Sequence, residues 1–368
     1  MANPLLPTLP TLPTDLSTNE RLIDLYMERA LDLIRLEAGT RDKVLVFIDQ
    51  LERDIVAALA KVDPTGTPDG AKQRKRLTEL LGIIRGTIKA SYRDVATLMA
   101  SEIREVADHE ATWTGQALNT SMRVSFADAG VTREFLSTLV SDVLIQGAPT
   151  KDWWARQAGG LAERFTDQMR TGIGIGEANS KLIERARATM DVSRASAERL
   201  VRSSVQTAAN TAREAMYAKN TDLIAALKWS ATLDTRTTIM CLARDGHTYS
   251  CDDGHAAKDG GPPWLQGPGK LHWGCRSTSV PVLKSWRDLG IDMDEVPHTT
   301  RASMDGQVPA EQTFAQWLKK QSPERQDTLL GKGKAELYRA GKISVRDLLD
   351  QNGRPLTTEQ LRAKAAQK

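Results

Sequence analysis

Residues 193–219 read SRASAERLVRSSVQTAANTAREAMYAK and residues 227–234 read LKWSATLD; the change of period between the two decides the fold class. In the first stretch Ala197, Val201, Val205, Ala208 and Ala212 recur at three- and four-residue steps, a narrow stripe of small side chains that lets a helix pack closely. Arg199, Arg202, Gln206, Asn210 and Arg213 line the other side at similar spacing. Such a polar face is ordinarily solvated, and it is also the place where a helix would meet phosphate without reading base sequence. In the second stretch Leu227, Trp229, Ala231 and Leu233 alternate with polar residues, the two-residue repeat of a half-buried strand.

Upstream the helical period dominates. Ser17 and Glu20 have the capping-box spacing, and Leu22, Leu25, Tyr26 and Leu33 follow as an apolar series. Val44, Phe47, Ile48, Leu51, Ile55 and Leu59 predict a second helix that stops at Asp63-Pro64. After the turn-rich segment from Pro64 to Gly70, Leu77, Leu80, Leu81, Ile84 and Ile88 open a third, longer helix running towards His109. Thr132 with Phe135, Leu136, Leu139, Val140 and Leu144 predicts another helix. Trp153-Trp154 marks a packing point or an interface anchor. Gly172, Gly174 and Gly176 lack the Lys-Ser/Thr ending of a P-loop and the spacing of a dinucleotide fingerprint, so they read as a hinge.

The chain has 368 residues, room for two or three domains and a sizeable core. Its 50 basic and 47 acidic residues leave a formal charge of +3, too near balance for bulk electrostatics to name nucleic acid as partner. Met1 to Pro13 has no basic leader and no uninterrupted apolar run, so neither a signal peptide nor a membrane span is expected there, and no other stretch is apolar enough to span a bilayer. Pro4, Pro7, Pro10 and Pro13 repeat with the three-residue turn of polyproline II, which allows an extended arm along a partner, the alternative being a mobile tail.

Between Asp234 and Val282 lie all three cysteines, Cys241, Cys251 and Cys275, and three of the five histidines, His247, His255 and His272. Zinc takes soft or borderline ligands converging tetrahedrally, and small loop-rich modules use it where apolar burial is scarce. His272-Trp-Gly-Cys275 has the two-residue gap that turns neighbouring ligands towards one ion. Cys241 would supply the other half, with Cys251, His247 or His255 as fourth ligand. The alternative is three small buried thiols, since free cysteine packs well. A cysteine protease would need a base and an oxyanion hole that this stretch does not specify.

At these residues the sequence resembles the phage Mu F-like head morphogenesis family, the minor capsid proteins of tailed phages. The resemblance runs from about residue 170 to 283. It rests on Arg202-Ser-Ser through Asn210-Thr-Ala-Arg213, the strand with Trp229, the turn Asp234-Thr-Arg236-Thr leading to Cys241, then Gly246, Pro262-Pro263 and His272-Trp-Gly-Cys275-Arg276. Thr238 stands where many relatives have a first cysteine, and Ser277 replaces the last. The segments around Phe314, Trp317, Leu337 and Ser344 to Leu349 resemble the module that often follows this domain. The expected fold is predominantly α-helical with a small α+β, loop-rich domain. The expected divisions are a proline-rich arm (1–16), a helical docking region (17–169), the Mu F-like domain (170–283) and a small helical module (284–368).

The resemblance implies a minor head protein present in few copies in the virion. It would act in head assembly near the portal and in DNA packaging, retention or delivery. Implied partners are the portal protein, a major capsid or scaffolding protein and non-sequence-specific double-stranded DNA, with no membrane. Arg199, Arg202 and Arg213 are the DNA-contact candidates. Cys241, His272, Cys275 and Cys251 are the candidate ligands of a structural zinc, and Trp229, Asp234, Arg236 and Arg276 carry the family-like pattern. No H-E-x-x-H, G-x-S-x-G or Walker motif is present, so no enzyme is expected. The rival readings are a catalytic or toxin-type protein using the Cys/His segment and a zinc-dependent nucleic-acid-binding module.

Overall fold

The computed structural model describes residues 18–61, 70–122, 131–252, 254–290, 300–303, 305–309 and 312–366. The proline-rich arm, Ser17 and the turn-rich segment after Asp63 lie outside them. The helices are α1 (Thr18–Ala60), α2 (Gly70–Met122), α3 (Arg133–Asp142), α4 (Thr150–Gly174) and α5 (Asn179–Lys219). Then come strand β1 (Ile224–Ser230), the one-turn helix α6 (Ile239–Leu242), β2 (Thr248–Tyr249) and β3 (Thr278–Leu283). A hairpin of β4 (Thr300–Ser303) and β5 (Gly306–Pro309) precedes α7 (Phe314–Lys319), α8 (Pro323–Leu330), α9 (Lys332–Arg339) and α10 (Thr358–Ala366). The fold is mostly helical with a small antiparallel sheet, the class expected from the period change. Among the described residues no helix is long and apolar enough to cross a membrane.

The first two predicted helices are one. α1 runs without a break for 43 residues. Its apolar series lapses between Leu33 and Val44 because the buried positions there are polar. Thr40 donates to Glu102 at 3.2 Å, Lys43 reaches the same carboxylate at 2.6 Å, and Glu37 accepts from Arg202. Gly39 is the helix breaker in that gap, and a glycine inside a helix costs only about 1 kcal/mol. α2 likewise continues beyond His109, with Trp113, Ala117, Leu118 and Met122 buried. α5 begins fourteen residues before Ser193, carried by buried Leu182, Ala186 and Met190.

The chain divides into two compact units. One comprises 35–106 and 137–205, the other the described parts of 1–34, 107–136 and 206–368. Among the described residues, the named elements of the first are all helices. Ile48, Leu51 and Ile55 of α1, Ile88, Tyr92 and Val95 of α2, Leu161 and Phe165 of α4, and Ala197 and Val201 of α5 are buried. Trp154 is buried 6.3 Å from Tyr92, whereas half-buried Trp153 donates its indole N–H to the Ile145 carbonyl at 2.6 Å. The Gly172 to Gly176 stretch ends α4: Glu177 N–H returns to the Gly172 carbonyl at 2.9 Å, and Gly176 takes φ +76°. A Cβ at Gly172 would lie 2.5 Å from Leu182, so close helix packing requires glycine there.

The second unit surrounds the three-stranded sheet, of order β2-β1-β3 and antiparallel throughout. Leu227 faces Tyr249 on one side and Pro281 on the other; proline is tolerated because β3 is an edge strand. The strand alternation continues through Ala231 and Leu233, but pairing stops at Ser230, because the Ala231 N–H goes to the Asp245 carboxylate at 2.7 Å.

One charge in this unit makes a pH prediction. Asp24 sits one helical turn from both Glu20 and Glu28, and burial together with these two carboxylates pushes its pKa up to about 6. A raised folded-state pKa means the folded protein binds the proton more tightly than the unfolded chain does. The penalty is therefore absent below about pH 4 and fully present above about pH 6. Asp24→Asn should stabilise the protein by about 1 kcal/mol at pH 8, after discounting for solvent screening, and by nothing at pH 4. Urea midpoints of parent and variant at the two pH values check it.

Candidate metal centre

The cluster is built from two turns and the ion pair that ties them. Asp234 closes the first: its carboxylate accepts from the Arg236 N–H at 3.0 Å and from the Thr237 hydroxyl at 3.2 Å. Arg276 then grips it with two bonds, at 2.6 and 2.8 Å. Burial opposes ionisation of Asp234, but the Arg276 guanidinium wins and holds the carboxyl below the usual range. This pair brings the residue after Cys275 to the residues before α6. Arg236, by contrast, extends into solvent, 3.7 Å from Asp234. Trp229 is fully buried, edge-on to Trp264 at 5.4 Å.

Thr238 caps α6, its hydroxyl accepting the Cys241 N–H at 3.5 Å, and so turns the Cys241 thiol inward. In the second turn the Cys275 N–H closes onto the His272 carbonyl at 3.1 Å, with Gly274 at φ +68°. Cys241 Sγ then lies 3.6 Å from Cys275 Sγ and 3.1 Å from His272 Nε2. The ligand atoms of these three residues all fall within 4.8 Å of one another. His272 Nδ1 lies 3.0 Å from the Trp273 carbonyl, and a proton on Nδ1 is donated there, which turns Nε2 onto the thiols.

The two thiols are inequivalent. The hydrogen bond from Cys241, reinforced by His272, draws the Cys275 thiol well below its ordinary value despite burial. The same hydrogen bond, with burial, pushes Cys241 well above it. Burial opposes protonation of His272, but the neighbouring Cys275 raises its pKa. The result is a hydrogen-bonded set of two thiols and an imidazole, sealed from solvent at Cys241 and Cys275.

The donor set fits zinc. Bonds of about 2.3 Å to sulfur and about 2.1 Å to nitrogen in a tetrahedron place sulfurs about 3.8 Å apart and sulfur about 3.6 Å from nitrogen. The observed sulfur–sulfur distance of 3.6 Å and the Cys241 Sγ to His272 Nε2 distance of 3.1 Å are somewhat shorter, and the third separation lies within 4.8 Å, which the two turns can adjust. Cys241, His272 and Cys275 would hold the ion, which when bound supplies a cross-link between the turns.

Cys251 does not join them. It is half-buried against the apolar cluster around Trp229 and Trp264, and its burial raises its pKa to about 11. His247 is held by Asp259 at 2.9 Å, and His255 stacks on Trp264 at 4.6 Å with Nδ1 3.0 Å from the Ser250 carbonyl. The fourth corner is instead bordered by hydroxyls. Thr238 Oγ1 is 2.9 Å from His272 Nε2, and Ser277 hydrogen-bonds the Cys241 thiol. These are the two positions where serine or threonine stands in place of an expected cysteine.

The basic candidates on α5 are placed differently from one another. Arg199 is exposed, and Arg202 is half-exposed and paired with Glu37 at 2.6 Å. Arg213 is wholly buried and paired with Glu110, with Thr278 accepting from its other arm. Asn210 and Gln206 are buried too, so below Arg202 the polar face turns to the interior and cannot meet phosphate as placed.

The loops of the small antiparallel sheet thus gather two thiols and an imidazole that could hold a metal ion. Residues 163–280 match the family model described as Phage Mu protein F like protein, a stretch that contains Trp229, Asp234, Arg236, Arg276 and the whole cluster. Over those residues the chain is similar to that family. Comparison with curated proteins and with solved structures gives no match.

Proposed function

We propose that this protein is a minor head component of a tailed phage. It acts in head assembly near the portal and in the packaging, retention or delivery of DNA. The observation supporting the reading is the Mu F-like match over 163–280, whose patterned residues build the ion pair and the thiol–imidazole cluster. The role is architectural. Cys241 and Cys275 are buried and His272 is half-buried, an arrangement suited to holding the two turns together. Its partners are the portal and the capsid or scaffold. Contact with double-stranded DNA, where it occurs, runs through phosphates at Arg199 and, once its pair with Glu37 opens, Arg202. A structural zinc at Cys241, His272 and Cys275 completes the reading.

Mass spectrometry of purified particles assembled with this protein tests it. The expected result is the chain at a few copies per particle, and loss of filled heads when the gene is removed. Filled, infectious particles that lack the polypeptide would end the proposal.

A further inference from the structure

Six consecutive residues, Cys241 to Gly246, face two ways. Cys241 and Met240 pack into the apolar cluster that holds Trp229, Trp264 and Cys275. Ile239, Leu242 and Ala243, from the same turn of backbone, pack into a separate cluster with Phe314, Trp317 and Leu348. The one-turn helix α6 is thus a wall shared by the thiol–imidazole cluster and the C-terminal helices.

The next three residues bolt the second side down. Asp245 is buried and divides its carboxylate, one oxygen accepting the Ala231 N–H and the other the Phe314 N–H, both at 2.7 Å. Strand exit and the start of α7 therefore hang on one side chain. Gly246 takes φ +83°, and a Cβ there would lie 2.9 Å from Thr313, the cap of α7. Arg244 is fully buried, donating to the Pro263 carbonyl at 2.8 Å and the Met240 carbonyl at 2.7 Å. Its remaining Nη2 has no hydrogen-bond partner, and the C-terminal loop closes over it so tightly that a Cβ at Gly353 would overlap it. Among the described residues this guanidinium pairs with no carboxylate; the π face of Trp229 lies 5.7 Å away.

We propose that residues 241–246 are a latch coupling the thiol–imidazole cluster to the docking of the C-terminal helices, so that disturbing either one loosens the other. A shift of α6 by a few tenths of an ångström at Cys241 is carried rigidly to Leu242, Arg244 and Asp245, because close-packed side chains have no slack to absorb it. Coupling of this kind is reciprocal: whatever the cluster contributes to holding the helices, the helices return to the cluster. The latch depends on packing and hydrogen bonds alone, so it stands or falls separately from the zinc and phage readings.

Two measurements on the full chain test it, in a Cys251→Ser background so that only the cluster thiols report. Hydrogen exchange over residues 314–349 reads docking, and the rate of labelling by an aromatic disulfide reagent reads the cluster. Gly353→Ala, at the far side of the latch, should raise both exchange and labelling of Cys241 and Cys275 at least tenfold. Asp245→Asn, which keeps the shape and loses the charge, should move both in the same direction by a smaller factor. Cys275→Ser should raise exchange over 314–349 without any change in that segment's own sequence. Faster exchange with labelling unchanged in the two latch variants would overturn the proposal. So would exchange at the parental rate in all three variants.

Discussion

Glu110→Ala is expected to destabilise the protein by about 3 to 5 kcal/mol, because it strands two buried arginines. Glu110 is fully buried on α2 and accepts from Arg29 of α1 at 2.9 Å on one oxygen and from Arg213 of α5 on the other. Two cations face one anion, and aromatic faces offset the surplus charge. Arg29 lies 5.6 Å from the Trp113 ring, and Arg213 lies 5.2 Å from Tyr26 and 5.9 Å from Trp113. Burial pushes the Tyr26 hydroxyl up to about 12, so it stays a neutral partner, bonded to Tyr217 at 2.9 Å. Removing the carboxylate deletes the only anion of this triad and leaves both guanidinium groups in a medium of low dielectric. The exposed pair of Arg133 and Asp108, 2.6 Å long, is the control: Arg133→Ala should cost under about 1 kcal/mol. Replacing Arg29, Glu110 and Arg213 together by apolar residues of similar volume should recover most of the loss. Urea midpoints decide, and a Glu110→Ala shift no larger than that of Arg133→Ala would refute the account.

The same triad shows where the sequence stops being legible. On a helix face arginine reads as solvated, since charged residues are rarely buried unless paired, and the partner of Arg213 lies 103 positions away on another helix. No local pattern announces Glu110. The buried polar seam at Glu37 and Thr40 misled in the same way, splitting α1 into two predicted helices, because periodicity counts apolar residues and the seam has none. What was legible was local or sharply patterned. The alanine stripe of α5, the alternation into β1 and the short His272 to Cys275 gap each describe a turn or face made by neighbours in sequence. Cys251 marks the limit of composition as evidence: density of thiols predicted a cluster, but only the ion pair of Asp234 with Arg276 explains why Cys241 and Cys275 converge and Cys251 does not. The hairpin of β4 and β5 carried no alternating apolar signal and was not anticipated.

Removal of metal should unfold the loop-rich part of the Mu F-like segment. The stretch from Ile239 to Cys275 contains one helical turn and a two-residue strand, so little regular backbone hydrogen bonding holds it. Its order comes from Asp234 with Arg276, from the ring cluster of Trp229, Tyr249 and Trp264, and from the joining of two turns at the thiols. A four-ligand structural zinc contributes on the order of 10 kcal/mol, comparable to the roughly 5 to 15 kcal/mol of a whole domain; three protein ligands give less, yet enough to decide whether the loops stay folded. Protein prepared without chelators should carry one zinc per chain, and a strong chelator should strip it, expose Cys241 and Cys275 to thiol reagents and lower the thermal midpoint by well over 10 °C, on the scaling of about 2 to 4 °C per kcal/mol for a unit of roughly 150 to 250 residues. His272→Ala should abolish the metal content, whereas Cys251→Ser should leave it intact, because Cys251 stands apart from the cluster. Thr238→Cys, placing a sulfur beside His272 Nε2, should tighten binding by completing the tetrahedron. Elemental analysis showing no metal in folded protein, with a midpoint indifferent to chelator, would leave the cluster as a hydrogen-bonded thiol pair. The order of these loops would then rest on the aromatic core and the Asp234–Arg276 pair alone.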